Sequence, residues 1–399
     1  MPDTVQMAFV GCGGIAHSHA AGYSRLVEAG YDRFNFAAVC DTNEDTAGDM
    51  AQFLKENAGM EPTVYLSIDE MLEAEDLDAI DNCTPHAYHH TTAIPGLQRG
   101  VATMVEKPCG ITVKATRRMM EAAEEGGAMI ATAEQIRRCR GPRAVHWAVH
   151  DQQIIGEPRM FSMEVFGVHP FDWDTYKMAW RGIKLLGGGG QILDGGVHFS
   201  DMMLYMFGPV QEVYCWLRVD DTPEIDAPDL GRRNVDVESG WLATLVFESG
   251  LIGHWSWSRL AEGDESKRGV YYGEKGSLTD KQEWMHAFQF GADIMLEGGV
   301  QIPWEELEQQ YMQQLDEDEK QRLFPYGFDD GITNECWDFV EAVADGRDPE
   351  LDATDALKAK SLSFALYESD ALGEPVSPAD VESGKISAYQ DEINEYWDM

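Results

Sequence analysis

The chain has 399 residues, more than one ordinary core covers, and its 44% apolar content suits a globular protein, so two domains are expected. Seventy-one acidic residues against 30 basic ones leave a formal net charge of −41, a field that repels nucleic acid and anionic membrane. The sequence holds no apolar run of about eighteen residues and enters a strand without a basic, apolar leader, so neither a membrane span nor a secretory signal is expected and a cytoplasmic location follows.

In chain order, the apolar run Val5 to Val10 predicts a strand. The pattern Gly11-x-Gly13-x-x-Ala16 follows it and opens a helical run from Ala16 to Ala29. That strand, turn and helix context is what a dinucleotide-binding turn requires: Gly11 for the tight turn, Gly13 for close approach of the backbone to a pyrophosphate, and small Ala16 for packing helix on strand. Cys12, Gly14 and Ile15 complete the loop. The next strand, Phe34 to Cys40, ends at Asp41, where a carboxylate accepts hydrogen bonds from an adenosine ribose. Thr42-Asn43-Glu44 supplies no cation for a 2′-phosphate, so NAD is the expected cofactor. Capping of the following helix is the simpler role open to Asp41.

Strands at Val64 to Leu66, Ala79 to Cys83, Val101 to Val105 and Ala128 to Ala131 alternate with helical runs at Ile68 to Ala74 and Val113 to Glu125, which predicts a parallel sheet. Ligands then lie beyond the carboxyl ends of the strands, where Thr84-Pro85-His86 and Glu106-Lys107-Pro108 fall. From about residue 140 strands dominate: Arg159 to Phe166, Val210 to Val219, Trp241 to Phe247, Leu251 to Arg259 and Val270 to Gly273. One helix, His198 to Met206, interrupts them. A largely antiparallel second sheet is expected, with a polar loop at Asp220 to Glu238 and an acidic helical insertion at Trp304 to Arg322. The α/β chain is expected to divide into a Rossmann domain at 1–135 and a second domain at 136–399, with late helices at Thr333 to Ala344 and Ala353 to Glu368 packing back on the first.

Lys107 at a strand end, together with Asp194 and His198 in GGGGQILDGGVH, reads as one active site. A carboxylate and an imidazole four residues apart can share a helix face. The plainer alternatives are an exposed turn for Lys107, an N-cap for Asp194 and a core position for His198. Trp173, Tyr176, Trp180 and Arg181 are candidates for a sugar, since flat aromatics cover its apolar face and arginine forks onto hydroxyls or an acid group; His17 is a further candidate for the pocket. The seven cysteines are odd in number, scattered and without a CxxC pair, so free thiols are expected, with Cys12, Cys83 and Cys109 beside the cofactor loops. His17 with His19, and His86 with His89 and His90, lack a carboxylate or cysteine at ligand spacing, so no metal is expected.

The motifs VGCGGIAHSH (10–19), VCD (39–41), TPHAYH (84–89), VEKP (105–108), WR followed by GGGGQILDGGVHFSD (180–201), and NECWDFVEAVADGRDPELDATDALKA (334–359) run in order along nearly the whole chain. In these it resembles the glucose-fructose oxidoreductase, inositol dehydrogenase and MocA family. The resemblance implies a Rossmann domain joined to an α/β domain with an open, largely antiparallel sheet whose exposed face makes dimers or tetramers. It implies a catalytic trio of Lys107, Asp194 and His198, and matches His89 to a loop-shaping position. Departures are His86, where the family usually has Asn, and Ile94-Pro95-Gly96, which interrupts a segment usually helical throughout.

Oxidising a secondary alcohol needs a base within about 3 Å of its oxygen. An imidazole can both accept and return a proton, which suits His198 for this, with Lys107 donating to the developing alkoxide and Asp194 orienting one of the two. The expected activity is transfer of hydride to NAD from a secondary hydroxyl of a sugar, glycoside or cyclic polyol. The alternatives are redox-neutral glycoside cleavage by oxidation, elimination and reduction, and a non-catalytic protein that senses sugar or NAD.

Overall fold

The computed structural model describes residues 4–281 and 286–399. They form two compact units, Met1–Arg138 with Gln321–Ala356, and Cys139–Lys320 with Leu357–Met399. The second is therefore not continuous in sequence, because the chain returns to the first after residue 320.

The first unit is built on a parallel sheet ordered β3-β2-β1-β4-β5-β6, from β1 (Val5–Val10), β2 (Phe34–Cys40), β3 (Thr63–Tyr65), β4 (Ala79–Asn82), β5 (Ala102–Glu106) and β6 (Ile130–Ala133). Strand alternation sends Met7 and Phe9 of β1 into one apolar layer and Ala8 and Val10 into the other. Phe9 stacks on Phe36 with centroids 4.3 Å apart, and Tyr23 of α1 (Gly14–Glu28) meets both rings edge-on. The late Gly331–Asp345 helix adds Cys336, Phe339 and Val340 to the same layer. Polar contacts fix its register: Arg25 Nε donates to Thr333 at 2.9 Å, and Glu341 accepts from Tyr31 at 2.7 Å and Arg33 at 2.8 Å.

Local chemistry sets the helix starts. Asn43 caps α2 (Glu44–Ala58), Ser67 caps α3 (Ile68–Ala74) and Thr112 caps α5 (Val113–Gly126), each side chain accepting from an amide three residues on. The expected interruption at Pro95 does not occur. Helix α4 runs from His89 to Leu97 with Pro95 inside, and Ala93 and Leu97 bury its apolar side against Val105 and Met119. Tertiary packing outweighs the lost backbone donor.

The second unit carries an eight-stranded sheet ordered β16-β15-β14-β13-β7-β12-β11-β8. Its strands are β7 (Pro158–Phe166), β8 (Val210–Arg218), β11 (Gly240–Phe247), β12 (Ile252–Ser258), β13 (Ser266–Gly273), β14 (Gly276–Asp280), β15 (Ala292–Leu296) and β16 (Gln301–Ile302). All its pairings are antiparallel except β7 with β12. The expected polar loop holds a small hairpin, β9 (Glu224–Ala227) with β10 (Gly231–Asn234), and the acidic insertion splits into helices Trp304–Gln314 and Glu317–Leu323. No helix among the described residues is long and apolar enough to cross a membrane.

After a short helix α6 (Gln191–Asp194), α7 (Gly196–Phe207) covers one sheet face with Phe199 and Phe207. Trp255 of β12, fully buried, lies against Phe199 of α7 with ring centroids 4.4 Å apart. Trp255 and Trp257 share that face, as their alternation predicts. The Trp255→Ala protein is expected to lose about 3–5 kcal/mol of stability, read as a lower urea midpoint, because the cavity opens under α7.

Candidate active site

Gly11 leaves β1 with φ +80°, and a side chain there would stand 2.7 Å from the Thr84 backbone nitrogen. Turn and close approach together require glycine. Gly13 and Gly14 are exposed, with nothing within 4 Å of where a side chain would begin. Helix α1 starts there with no side-chain cap and no acid in its first turn, leaving its amides and positive dipole end for an anion. Asp41 braces the loop: one oxygen accepts from the Cys12 amide at 2.9 Å, the other from the Asn43 amide at 2.9 Å. Each oxygen retains a second lone pair, so ribose hydroxyls can be received as well. Capping of α2 falls to Asn43, not Asp41. An open glycine turn, an uncapped helix and a braced carboxylate fit a dinucleotide.

Other expected loop residues are spent inside the fold. The Cys12 thiol is buried, and burial followed by the neighbouring Asp41 charge pushes its pKa up. Cys83 and Cys109 are buried too, so the thiols beside the loops are sheltered from oxidants. Ile15 packs against the core. His17 meets Phe53 of α2 edge-on at 5.3 Å, a packing contact between helices. Pro85 is half-buried and His86 is buried, its ring 5.8 Å from that of His89. His89, fully buried, has Nε2 2.7 Å from the Thr84 carbonyl and Nδ1 3.0 Å from that of Pro108. Lys107 is half-buried directly after β5.

Glu106, expected at the cofactor, turns inward instead. It is 3% exposed and belongs to a buried charged cluster around His19 on the inner face of α1. His19 Nδ1 lies 2.9 Å from Asp81, while Nε2 lies 3.3 Å from Glu106 and 3.5 Å from Glu335. Cys83 Sγ is 3.7 Å from Nδ1. The histidine thus has the carboxylate and thiol neighbours that sequence spacing did not show. The 2.9 Å contact has the length of a charge-assisted hydrogen bond from Nδ1 to the Asp81 carboxylate.

Burial by itself lowers the His19 pKa, but the charge of Asp81 and then Cys83 outweighs it and holds the imidazolium well above its usual range. Burial raises the Glu335 pKa well above the carboxylate range, against the pull of His19 and Arg138. Both groups therefore bind protons more tightly folded than unfolded, where they titrate near about 6.5 and 4.3. Their contribution to stability is complete below those unfolded values and is lost as pH rises through the folded ones. The urea midpoint is expected to fall from neutral to alkaline pH, and to fall less steeply in His19→Gln.

In the second unit, Asp194 ends α6 and His198 lies in α7, so Gly195 separates two consecutive helices where one shared face was expected. Asp194 does not cap α7; its carboxylate accepts from Arg181 Nε at 3.0 Å. Arg181, expected to reach substrate, is held by that pair, by the Lys177 carbonyl at 2.6 Å and by the face of Trp180 at 4.1 Å. His198 is 2% exposed, and its ring meets that of His286 edge-on at 4.8 Å. Trp180 and Trp173 are buried; Trp173 packs edge-on against Phe171 at 5.2 Å. Tyr176 opens the Tyr176–Ala179 helix, and its side chain lies outside the described residues.

The sequence reading missed Glu238, Tyr367 and His286. Glu238, buried, accepts from the amides of Gly190 at 3.0 Å and Ile192 at 2.7 Å and from Tyr367 Oη at 2.9 Å. It thereby serves the N-terminus of α6, which ends in Asp194. A side chain at Gly190 would stand 2.7 Å from the Glu238 carboxylate, which explains part of the glycine run. No local motif announces these residues, since each acts from a distant part of the chain.

Residues 5–134 match the oxidoreductase family described as an NAD-binding Rossmann fold, and residues 147–279 match the GFO/IDH/MocA C-terminal domain. The chain belongs to the GFO/IDH/MocA oxidoreductase family. Among curated members it is similar to 1,5-anhydro-D-fructose reductase of Ensifer adhaerens, 28% identical over 47% of this chain and 52% of the relative. D-apiose dehydrogenase of Paraburkholderia graminis is 27% identical over 51% of this chain and 50% of the relative. The chain thus spans about half the length of these curated family members. Among solved structures, levoglucosan dehydrogenase in complex with NADH and levoglucosan superposes with a TM-score of 0.74 at 19% identity, over 94% of this chain and 99% of the other. The WlbA dehydrogenase from Bordetella pertussis, in complex with NADH and UDP-GlcNAcA, gives 0.70 at 21% identity over 94% and 97%. At such identities the shared feature is the family fold.

Proposed function

We propose that the protein is an NAD-dependent dehydrogenase acting on a secondary hydroxyl of a sugar, glycoside or cyclic polyol. The observation that carries this reading is the carboxyl edge of the first sheet, with its open glycine turn, uncapped α1 and braced Asp41. The names of the sugar-active family members support the substrate class. NAD, when bound, supplies the hydride acceptor. His198 takes the hydroxyl proton as hydride departs and returns it in the reverse direction. Lys107 donates a hydrogen bond to the oxygen on which negative charge grows. Asp194, tied to Arg181, supports the pair as a fixed carboxylate.

NADH formation from levoglucosan, D-apiose and inositol, and NADH consumption with 1,5-anhydro-D-fructose, tests the class. On the best of these, Lys107→Ala and His198→Ala are each expected to lower kcat/KM about 100-fold or more. Full turnover by either variant removes that residue from the mechanism.

The uncovered face of the eight-stranded sheet supports a homo-oligomer, dimer or tetramer. Met160, Trp216, Leu242, Ile252, Tyr272 and Met295 are between 43% and 54% exposed there, and Trp216 pairs with Leu242 across β8 and β11. An apolar patch of this kind marks a protein interface. Trp216→Glu combined with Leu242→Glu is expected to reduce the particle mass measured by light scattering, while a wild-type mass of one chain would remove the oligomer. The seven cysteines, all buried and scattered without a CxxC pair, support a reducing, cytoplasmic setting.

A further inference from the structure

We propose that His19 and His89 are positioning residues that pin the backbone on the two sides of Lys107 to the end of β4. The inference rests on the assignment of Lys107 to the reaction. Glu106 and Pro108 flank Lys107, and each is held by a different buried histidine from a different layer of the first unit. Ala102 and Met104 of β5 face the α1 layer, so Glu106 does as well, whereas Val105 faces α4 and α5.

From the α1 side, His19 bridges two strands. Its Nδ1 donates to Asp81 of β4 at 2.9 Å, and Nε2 lies 3.3 Å from Glu106, the last residue of β5. Glu335 of the Gly331–Asp345 helix stands 3.5 Å from the same nitrogen, and Cys83 lies 3.7 Å from Nδ1. Arg138 pairs with Asp338 at 3.1 Å and pulls on Glu335 from behind. The 3.3 Å contact lacks hydrogen-bond geometry, so the hold of His19 on Glu106 is an electrostatic one between buried side chains.

From the other side, His89 opens α4. Its Nε2 donates to the Thr84 carbonyl at 2.7 Å, two residues past β4. Its Nδ1 sits on the loop beyond Lys107, 3.0 Å from the Pro108 carbonyl and 3.4 Å from the Gly110 amide. Asn82 locks the start of that helix, donating to the His89 carbonyl at 3.1 Å and to Thr92 at 2.9 Å. Thr84 is also the residue against which Gly11 packs, so both clamps refer Lys107 to the strand end that seats the glycine turn. A lysine held at both neighbouring residues keeps its amine near one place, which is what a positioned hydrogen-bond donor needs.

The test compares His89→Gln, His19→Gln and Glu106→Gln with Lys107→Ala, each alone and combined with it. Three readouts are used: turnover of the best sugar found above, NADH affinity by fluorescence, and hydrogen exchange of the segment spanning residues 106–110. The clamp variants are expected to lower kcat about 10- to 100-fold with KM for NAD within about twofold. They are expected to speed exchange at 106–110 and to add nothing to the loss already produced by Lys107→Ala. If His19→Gln does not fold, the isosteric Glu106→Gln tests the same link. Unchanged exchange in folded His89→Gln and Glu106→Gln overturns the pinning. Faster exchange with unchanged kcat, or losses that multiply with Lys107→Ala, overturns its action through Lys107. Full turnover by Lys107→Ala with faster exchange in the clamp variants leaves the pinning standing and instead removes Lys107 from the reaction.

Discussion

The close approach of β1 and β4 at their carboxyl ends is the constraint on which the first unit depends. Position 11 has no room for a side chain, because the Thr84 backbone occupies the space a Cβ would need. That contact sets the glycine turn and so the start of α1. Asp41 fastens the same turn from β2 by accepting from the Cys12 amide. The loop is rigid on its inner side and open on its outer side, which is the asymmetry an anion-binding turn requires.

The second unit solves a related problem with a buried carboxylate. Its glycine run approaches Glu238 and Tyr367 so closely that side chains at Gly189 and Gly190 would overlap them. Glu238 then satisfies the buried Ile192 amide and shares the Gly190 amide with Tyr367 Oη. Burial raises the Glu238 pKa, opposed by the hydrogen bonds it accepts from Ile192 and its other partners. In both units glycine is required by neighbours from elsewhere in the chain as much as by the local turn.

Regular elements with a strong local signal were legible from the residues. The strands Val5–Val10 and Phe34–Cys40 and the helix Ile68–Ala74 coincide with their periodic apolar runs. The strands β14, β15 and β16 are not legible in the sequence, because GSLTD, ADIML and QI are short and carry little alternation. Their pairing comes from the neighbour each one meets. Pro95 misled in the opposite direction: a residue that breaks isolated helices is tolerated where Ala93 and Leu97 are buried.

For the site, the sequence by itself determined where the chemistry-bearing residues stand along the chain: local pattern places Gly11, Asp41 and Lys107 at strand ends, and Asp194 and His198 on the helical stretch after the glycine run. Only the tertiary structure decided what each touches. It turned Glu106 away from the cofactor loop toward His19, tied Arg181 to Asp194, divided the Asp194 and His198 segment at Gly195, and brought in Glu238. The physical reason is range. Turn geometry and strand period act over a few residues and are written in adjacent letters, whereas a buried charge is settled by whichever distant group packs against it.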